Sequence, residues 1–202
     1  MTGFKQISGI AAALPEDNID TDVIYPGRFL TRLSKQGMHE CLFYDRRFDS
    51  QGQPKADFVL NQQQFSKTKI LIAGNNFGCG SSRETAVWAL TDYGIKCVIA
   101  QSFGEIFYSN CFNNMLLPIV LSESQIKILL DNAAQTKPIT IDLATQSIEV
   151  EGKSNITFEI GAAHKQMLIS GLDEISRQLT MDIDDISAFE NKQSQTQPWL
   201  WN

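Results

Sequence analysis

The run Asn75-Asn76-Phe77-Gly78-Cys79-Gly80-Ser81-Ser82-Arg83-Glu84 places a thiol, two hydroxyls and a guanidinium side by side, on a backbone that Gly74, Gly78 and Gly80 leave free to turn sharply. That set suits a small carboxylate. Free backbone N–H groups at a helix start attract anions, and Arg83 adds a two-pronged grip. Ser81 and Glu84 have the spacing of a capping box. The same residues also spell an ordinary glycine-rich turn before a capped helix, and this stretch alone leaves both readings open. It is not a phosphate-binding loop of the Walker A kind, since no Gly-Lys-Ser/Thr follows, and it lacks Gly-x-Gly-x-x-Gly.

Two further segments carry polar chemistry. Asp20-Thr21-Asp22 is followed by Pro26-Gly27-Arg28, and Ser102 through Asn114 contains Ser109, Asn110, Asn113 and Asn114. Arg28 and Arg83, from separate segments, suit the clamping of a dicarboxylate. Each residue also has a plainer role. Asp20 and Asp22 form turns and caps, the asparagines close helices, and an arginine after a Pro-Gly turn is commonly solvated.

The elements that must position these groups are legible from periodicity. Residues 69–73 form a short β-branched run, and residues 82–93 carry apolar side chains at helical spacing up to Gly94. Strand 95–100, helix 104–112, strand 116–121 and helix 123–134 follow. This alternation predicts a parallel sheet with right-handed crossovers, and loops after such strands build binding sites at one end of the sheet. Residues 4–14 give an early strand, followed by a loop through residues 16–22. Residues 34–68 read as an irregular surface excursion. After Pro138 the runs 139–143, 147–151 and 157–160 alternate and read as antiparallel strands. Helices are expected at 164–171 and 184–191. The fold class is therefore α/β, one domain over residues 1–191 with a tail at 192–202 ending Pro-Trp-Leu-Trp-Asn.

At 202 residues, 43% apolar and 20% charged, the chain has enough material for a full core. A net charge of −6 without a dense Lys/Arg block argues against nucleic acid or an anionic membrane as main partner. No stretch reaches the roughly 18 apolar residues that span a bilayer, and the start lacks the apolar core of a signal peptide, so a cytoplasmic location is expected. The four cysteines, Cys41, Cys79, Cys97 and Cys111, form no Cys-x-x-Cys, and the two histidines, His39 and His164, lie far apart. That is a poor metal site, and buried thiols are expected rather than disulfides.

Taken together, Asn18 through Leu30, Asn76 through Glu84, Trp88 through Gly94, Ser102-Phe103, Ile106-Phe107-Tyr108, Asn110, Phe112-Asn113-Asn114, Leu116-Leu117-Pro118 and Gly171 through Ile175 closely resemble the small-subunit family of 3-isopropylmalate dehydratase. That family is related to the swivelling C-terminal domain of aconitase. The resemblance runs in order over about residues 4–190. It implies a swivelling β/β/α domain with a parallel βαβ core and additional antiparallel strands. It also implies a heteromeric hydro-lyase in leucine biosynthesis, active only with a large subunit that holds a [4Fe–4S] cluster, this chain binding no cofactor or metal. The open iron of that cluster would act as Lewis acid on the substrate hydroxyl. By position in the motif, Ser81 would be the base, acting as alkoxide in an electropositive pocket, while Ser82, Arg83 and Arg28 would bind the small dicarboxylate substrate. Asp20, Thr21, Asp22, Asn76 and Gly80 would support them. Val23, Ile24, Leu30 and Leu33 are candidates for an apolar wall facing a branched substituent, and equally for plain core.

The sequence departs from the family pattern in two places. Thr85 stands where His is usual and Val87 where Pro is common, and Gly74-Asn75 stands where Arg-Glu often precedes the Asn. These changes keep open another malate-type acid (homoaconitate or citramalate/citraconate) as substrate, or a non-catalytic partner subunit.

Overall fold

The computed structural model describes residues 3–31, 34–172 and 174–201. Strand β1 (Gln6–Leu14) joins two kinds of sheet. Its second half, Ala11–Leu14, pairs in parallel with β2 (Ile70–Ala73), and its first half, Gln6–Ile10, pairs antiparallel with β5 (Pro138–Asp142). On the parallel side follow β3 (Cys97–Ala100) and β4 (Leu117–Val120), and on the antiparallel side β6 (Ser147–Val150) and the two-residue β7 (Ile156–Thr157). The resulting order is β4-β3-β2-β1-β5-β6-β7. The expected mixed α/β architecture, with its parallel core and added antiparallel strands, is the one observed.

Parallel strands are buried on both faces, and their period-two alternation divides the core. Leu71, Ala73, Val98 and Ala100 face one apolar cluster, and Ile70, Ile72, Cys97 and Ile99 face the other. The first cluster takes in the excursion between β1 and β2, which folds as short 3-10 turns and the single helical turn α2 (Tyr44–Arg47). An earlier turn, α1 (Thr21–Ile24), stands where a loop was expected. Asp20 caps it, the Val23 N–H donating to Asp20 Oδ1 at 2.7 Å.

Helix α3 (Glu84–Tyr93) connects β2 to β3, and α4 (Glu105–Asn113) connects β3 to β4. Helix α3 begins two residues later than its periodicity indicated, and the capping box between Ser81 and Glu84 does not form. Backbone bonding explains this. The Ser81 carbonyl accepts from both Arg83 N–H (2.8 Å) and Thr21 Oγ1 (3.2 Å), while Glu84 accepts from Asn114 Nδ2 at 2.7 Å instead of turning back to a serine. Both serines are thereby left in the loop. Gly94 ends α3 in the left-handed region, as expected of a C-terminal glycine.

Helix α5 (Glu123–Ala134) carries a complete capping box between Ser122 and Gln125. The chain ends in α6 (Ala162–Ser170), α7 (Glu174–Met181) and α8 (Ile183–Thr196), then a 3-10 turn at Pro198–Leu200. Helix α8 corrects the sequence reading, for it runs through the Gln/Ser-rich stretch assigned to the tail. Gln, Lys and Glu are good helix formers, and their solvated side chains need no partner. Composition alone had set residues 192–197 apart from the helix before them.

The glycines of the β2–α3 loop are fixed by packing. Gly78 has φ +72, and a Cβ there would collide with the Phe107 ring, whereas Gly94 has φ +107 with open space around it. Gly78→Ala therefore adds a clash to backbone strain and is expected to destabilise by roughly 2–4 kcal/mol. Gly94→Ala, strained only in its backbone, should lose about 1–2 kcal/mol. Urea unfolding of the two variants ranks them, and equal losses would show that Phe107 yields.

Candidate active site

Three loops that follow β1, β2 and β3 close against one another. The β1 loop is laced to the β2 loop by Gly78 N–H to Ile19 O (2.7 Å), Thr21 N–H to Cys79 O (3.0 Å) and Asn18 N–H to Asn75 O (2.8 Å). The β2 loop is laced to the β3 loop by Phe77 N–H to Ser102 O (3.0 Å) and Gly104 N–H to Phe77 O (2.9 Å). Side chains reinforce the seams. Ser102 Oγ accepts from Asn76 N–H at 2.9 Å and donates to Asn75 Oδ1 at 2.7 Å, and Asn76 Nδ2 donates to Asn18 Oδ1 at 2.8 Å. The meeting of the three sequence segments expected from the order of strands is thus what the structure contains.

Ser81 and Ser82 lie exposed at the crest of the β2 loop, and Arg83 follows, part-buried. Arg83 forms an ion pair with Asp22, and Asp22 Oδ1 also accepts the Gly27 N–H at 3.1 Å. One carboxylate therefore ties α1, the Pro26-Gly27 turn and the start of α3 together. Thr21 is buried, its hydroxyl spent on the Ser81 carbonyl, and Gly80, at φ +89, brings the backbone alongside Asp20. Asp20, Thr21, Asp22, Asn76, Gly80, Ser81 and Arg83 are thus gathered in one connected loop cluster.

Arg28 is placed differently. It follows Gly27, but its guanidinium forms a two-pronged bridge to Asp45, Nη1 to Oδ2 at 2.9 Å and Nη2 to Oδ1 at 2.5 Å. Its carbon Cζ lies 4.6 Å from the Phe29 ring centre and 5.3 Å from that of Tyr44. The hydrogen bonds to Asp45 raise the Arg28 pKa and hold the Asp45 carboxyl below its ordinary range. Both side chains are more than half exposed, so solvent screens the pair. Nothing in the spacing of the sequence marked Asp45, which reaches Arg28 across 17 residues.

The remaining candidates divide between structure and site. Asn114 is buried and closes α4, donating to Asn110 O at 2.9 Å, which is the capping role. Ile24 is wholly buried and Val23 packs on the same cluster, so both belong to the core, whereas Leu30 is exposed. Leu33, the fourth candidate for an apolar wall, lies outside the described residues, as does Asp173 of the Gly171–Ile175 motif. Thr85 Oγ1 is buried and has no hydrogen-bond partner among the described residues, so the residue in the family's histidine position presents no accessible hydroxyl.

A cavity of about 160 Å³ adjoins Ser81, lined by Gly78, Cys79, Gly80 and Ser81 on one side and Gly104, Glu105, Ile106 and Phe107 on the other. Sequence reasoning assigned no role to Ile106. No local signal marked it, since its exposure follows from the burial of its neighbour Phe107, which only the packing shows. Among the described residues no three of His, Cys, Asp and Glu gather as a cation site, and Cys41, Cys97 and Cys111 are buried thiols outside the loop cluster. Among the described residues, then, the cysteines do not assemble the thiolate set of an iron–sulfur cluster.

The same combination of fold and loops occurs in known proteins. The aconitase C-terminal domain family matches residues 1–124, and the family of C-terminal domains of the 3-isopropylmalate dehydratase small subunit matches residues 180–201. A protein of Dinoroseobacter shibae named 3-isopropylmalate dehydratase small subunit is 46% identical over 202 residues, covering 99% of this chain and 100% of that one. A 3-isopropylmalate dehydratase small subunit 1 of Chromobacterium violaceum is 47% identical over 203 residues, covering 99% and 94%. The crystal structure of 3-isopropylmalate dehydratase from Methanocaldococcus jannaschii superposes with TM-score 0.67 at 30% identity, covering 90% of this chain and 99% of that one.

Burial pushes the Cys79 thiol above its ordinary pKa, and the Asp20 carboxylate pushes it further. The thiol is then protonated at neutral pH, and alkylation by iodoacetamide should run slower than that of an unperturbed thiol, rising only as pH passes the raised value. Asp20→Asn removes the charge and keeps an effective helix cap, so it should speed labelling a few-fold at neutral pH. A labelling rate indifferent to Asp20→Asn would remove the charge from the account.

Proposed function

The chain belongs to the 3-isopropylmalate dehydratase small-subunit family, and from that premise we propose how its residues serve the interconversion of 2-isopropylmalate and 3-isopropylmalate through 2-isopropylmaleate. The activity is that of a hydro-lyase of leucine biosynthesis, in which this chain is the small subunit. The observation that carries the assignment of roles is the convergence of three strand-end loops on Ser81 and Arg83. We place the [4Fe–4S] cluster, and the Lewis-acid chemistry it supplies when bound, on the large subunit. We place the complex in the cytoplasm.

Ser81 Oγ, as alkoxide, takes the proton from C3 of 2-isopropylmalate while the C2–O bond breaks, leaving 2-isopropylmaleate and hydroxide. Re-addition puts oxygen on C3 and the proton on C2, so Ser81 returns the proton it took and ends unchanged. A serine hydroxyl is a weak acid, so the step requires positive charge and aligned N–H groups near Oγ. Arg83 and the start of α3 contribute both. Ser82 and Arg83 hold one carboxylate of the substrate. Arg28 holds the other after exchanging Asp45 for it, a like-for-like replacement of one carboxylate by another. Asp22 keeps the Arg83 fork in place. Asp20, Thr21, Asn76 and Gly80 fix the backbone of the loop, and none of them needs to touch substrate.

Two experiments test this with the complex reconstituted from a cluster-loaded large subunit. Ser81→Ala should assemble normally and lose about 10²–10⁴ in kcat on 2-isopropylmalate, the usual cost of removing a proton-transfer group. A variant that assembles and keeps full turnover ends the base assignment, and preference of the wild type for homocitrate or citramalate ends the substrate assignment. Arg28→Lys, a point charge in place of a planar fork, should raise KM about tenfold and leave the urea midpoint unchanged. Unaltered KM for every acid tested removes Arg28 from the site.

A further inference from the structure

We propose that Ile106 is the side chain of this protein against which the branched alkyl substituent of the substrate packs, making it a determinant of which 2-substituted malate is accepted. The inference rests on the placement of Ser81 beside the reacting carbons proposed above. It adds a residue to that site and a reason for the size of the substituent.

The cavity beside Ser81 measures about 160 Å³. Pockets that enclose a whole small-molecule ligand run from about 300 to 1,000 Å³. The cavity lies below that range and is of a size to take part of such a ligand, a fragment of a few carbons. Charge then decides which fragment enters. The cavity is bordered by the Glu105 carboxylate, and Asp20 lies close enough to Cys79 to act on its thiol. Neither arginine lines the cavity: Arg83 is paired with Asp22, which also holds the Gly27 turn, and Arg28 is paired with Asp45. A substrate whose carboxylates are drawn to the arginines presents its uncharged substituent to the acidic side.

Within that cavity Ile106 is the apolar side chain available for contact. It is 52% exposed, whereas Phe107 is 3% exposed and is locked in the core, edge-on to Phe77 at 5.4 Å and stacked on Phe103 at 6.3 Å. The remaining lining is glycine backbone, Cys79, Ser81 and Glu105. The helix that carries Ile106 is also packed closely against the Ser81 loop. A Cβ on Gly104 would sit 2.5 Å from the Gly78 carbonyl oxygen, so α4 begins in backbone contact with the loop that carries Ser81. Phe107, Cys111 and Phe112, buried on the inner face of α4, keep the helix from rotating. Val23 and Ile24 are committed to the core, and Leu30, though exposed, does not line this cavity.

The test compares 2-isopropylmalate with citramalate, whose substituent is a methyl group, on the reconstituted complex carrying wild type, Ile106→Val or Ile106→Ala, with assembly followed by sedimentation. Ile106→Ala is expected to lower kcat/KM for 2-isopropylmalate about tenfold and for citramalate about two-fold or less, with Ile106→Val between the two. The affinity between the two subunits should not change. Equal losses on both acids, or weakened assembly that accounts for the loss, would make Ile106 a contact with the large subunit and overturn the proposal while leaving Ser81 in place. A wild-type complex inactive on 2-isopropylmalate takes down the functional reading and this proposal with it.

Discussion

Two backbones without side chains, Gly78 and Gly104, touch at the end of the parallel sheet, and the geometry of the site depends on that contact. A Cβ at Gly78 would meet Phe107, and one at Gly104 would meet the Gly78 carbonyl. The strand ends are thereby brought close enough for the bridge between Phe77 and Phe103 to form, with Phe103 and Phe107 stacked and Phe77 edge-on to both. Because β2 and β3 are buried on both faces, the loops that leave them start from fixed points. Sheet, aromatic stack and glycine contact together place Ser81 relative to α4 with little freedom left.

On that base a polar lattice sets the outer surface of the site. Asn75, Asn76 and Ser102 join neighbouring loops through side chains, and Asn18 and Asn76 take left-handed backbone angles, φ 56 and 57, that asparagine tolerates better than most residues. The arginines are held by this chain's own carboxylates, Arg83 by Asp22 and Arg28 by Asp45. In a protein of net charge −6, such pairing keeps two guanidinium forks oriented without substrate. On the proposed roles it also sets a condition on binding, since an incoming dianion must match a carboxylate already in place. For Arg28 the exchange is made easy by exposure of both partners. For Arg83, which is less exposed, Asp22 has the further duty of bonding the Gly27 N–H, so Asp22 stays and steadies the fork.

Much of this was legible in the sequence, for identifiable reasons. The strands of the parallel half are short β-branched runs, and α5 spans the residues 123–134 expected of it. The three loops were recognisable because each follows a strand and is rich in turn-forming residues, Pro, Asp and Asn after β1 and Gly, Asn and Ser after β2 and β3. What failed was local chemistry overridden by contacts distant in sequence. The Ser81–Glu84 capping box lost to Thr21, which lies 60 residues away and takes the Ser81 carbonyl, and to Asn114, which takes the Glu84 carboxylate. The α1 turn was hidden because so short a turn gives no periodicity. Helix α8 was cut short because its C-terminal residues are polar all round and carry no apolar stripe. Asp45 and Ile106 were missed because a single residue of ordinary type gains meaning only from the surface it meets.

The exposure of Ser81 bears on how the activity is divided between the two subunits. An alkoxide is favoured only where water is replaced by fixed dipoles and positive charge, and a hydroxyl at the crest of an exposed loop lacks that environment. On the proposed reading the small cavity points the same way, since its volume of about 160 Å³ would take the substituent and leave the reacting carbons outside it. On the proposed reading this chain supplies a preset arrangement of base, arginines and apolar wall. Docking of the large subunit supplies the roof that excludes water and the acid that receives hydroxide. The unbound chain then holds a serine with no driving force to ionise. Basicity at Ser81 arises only when the two surfaces close, so proton abstraction is coupled to assembly by the same desolvation that makes the step possible.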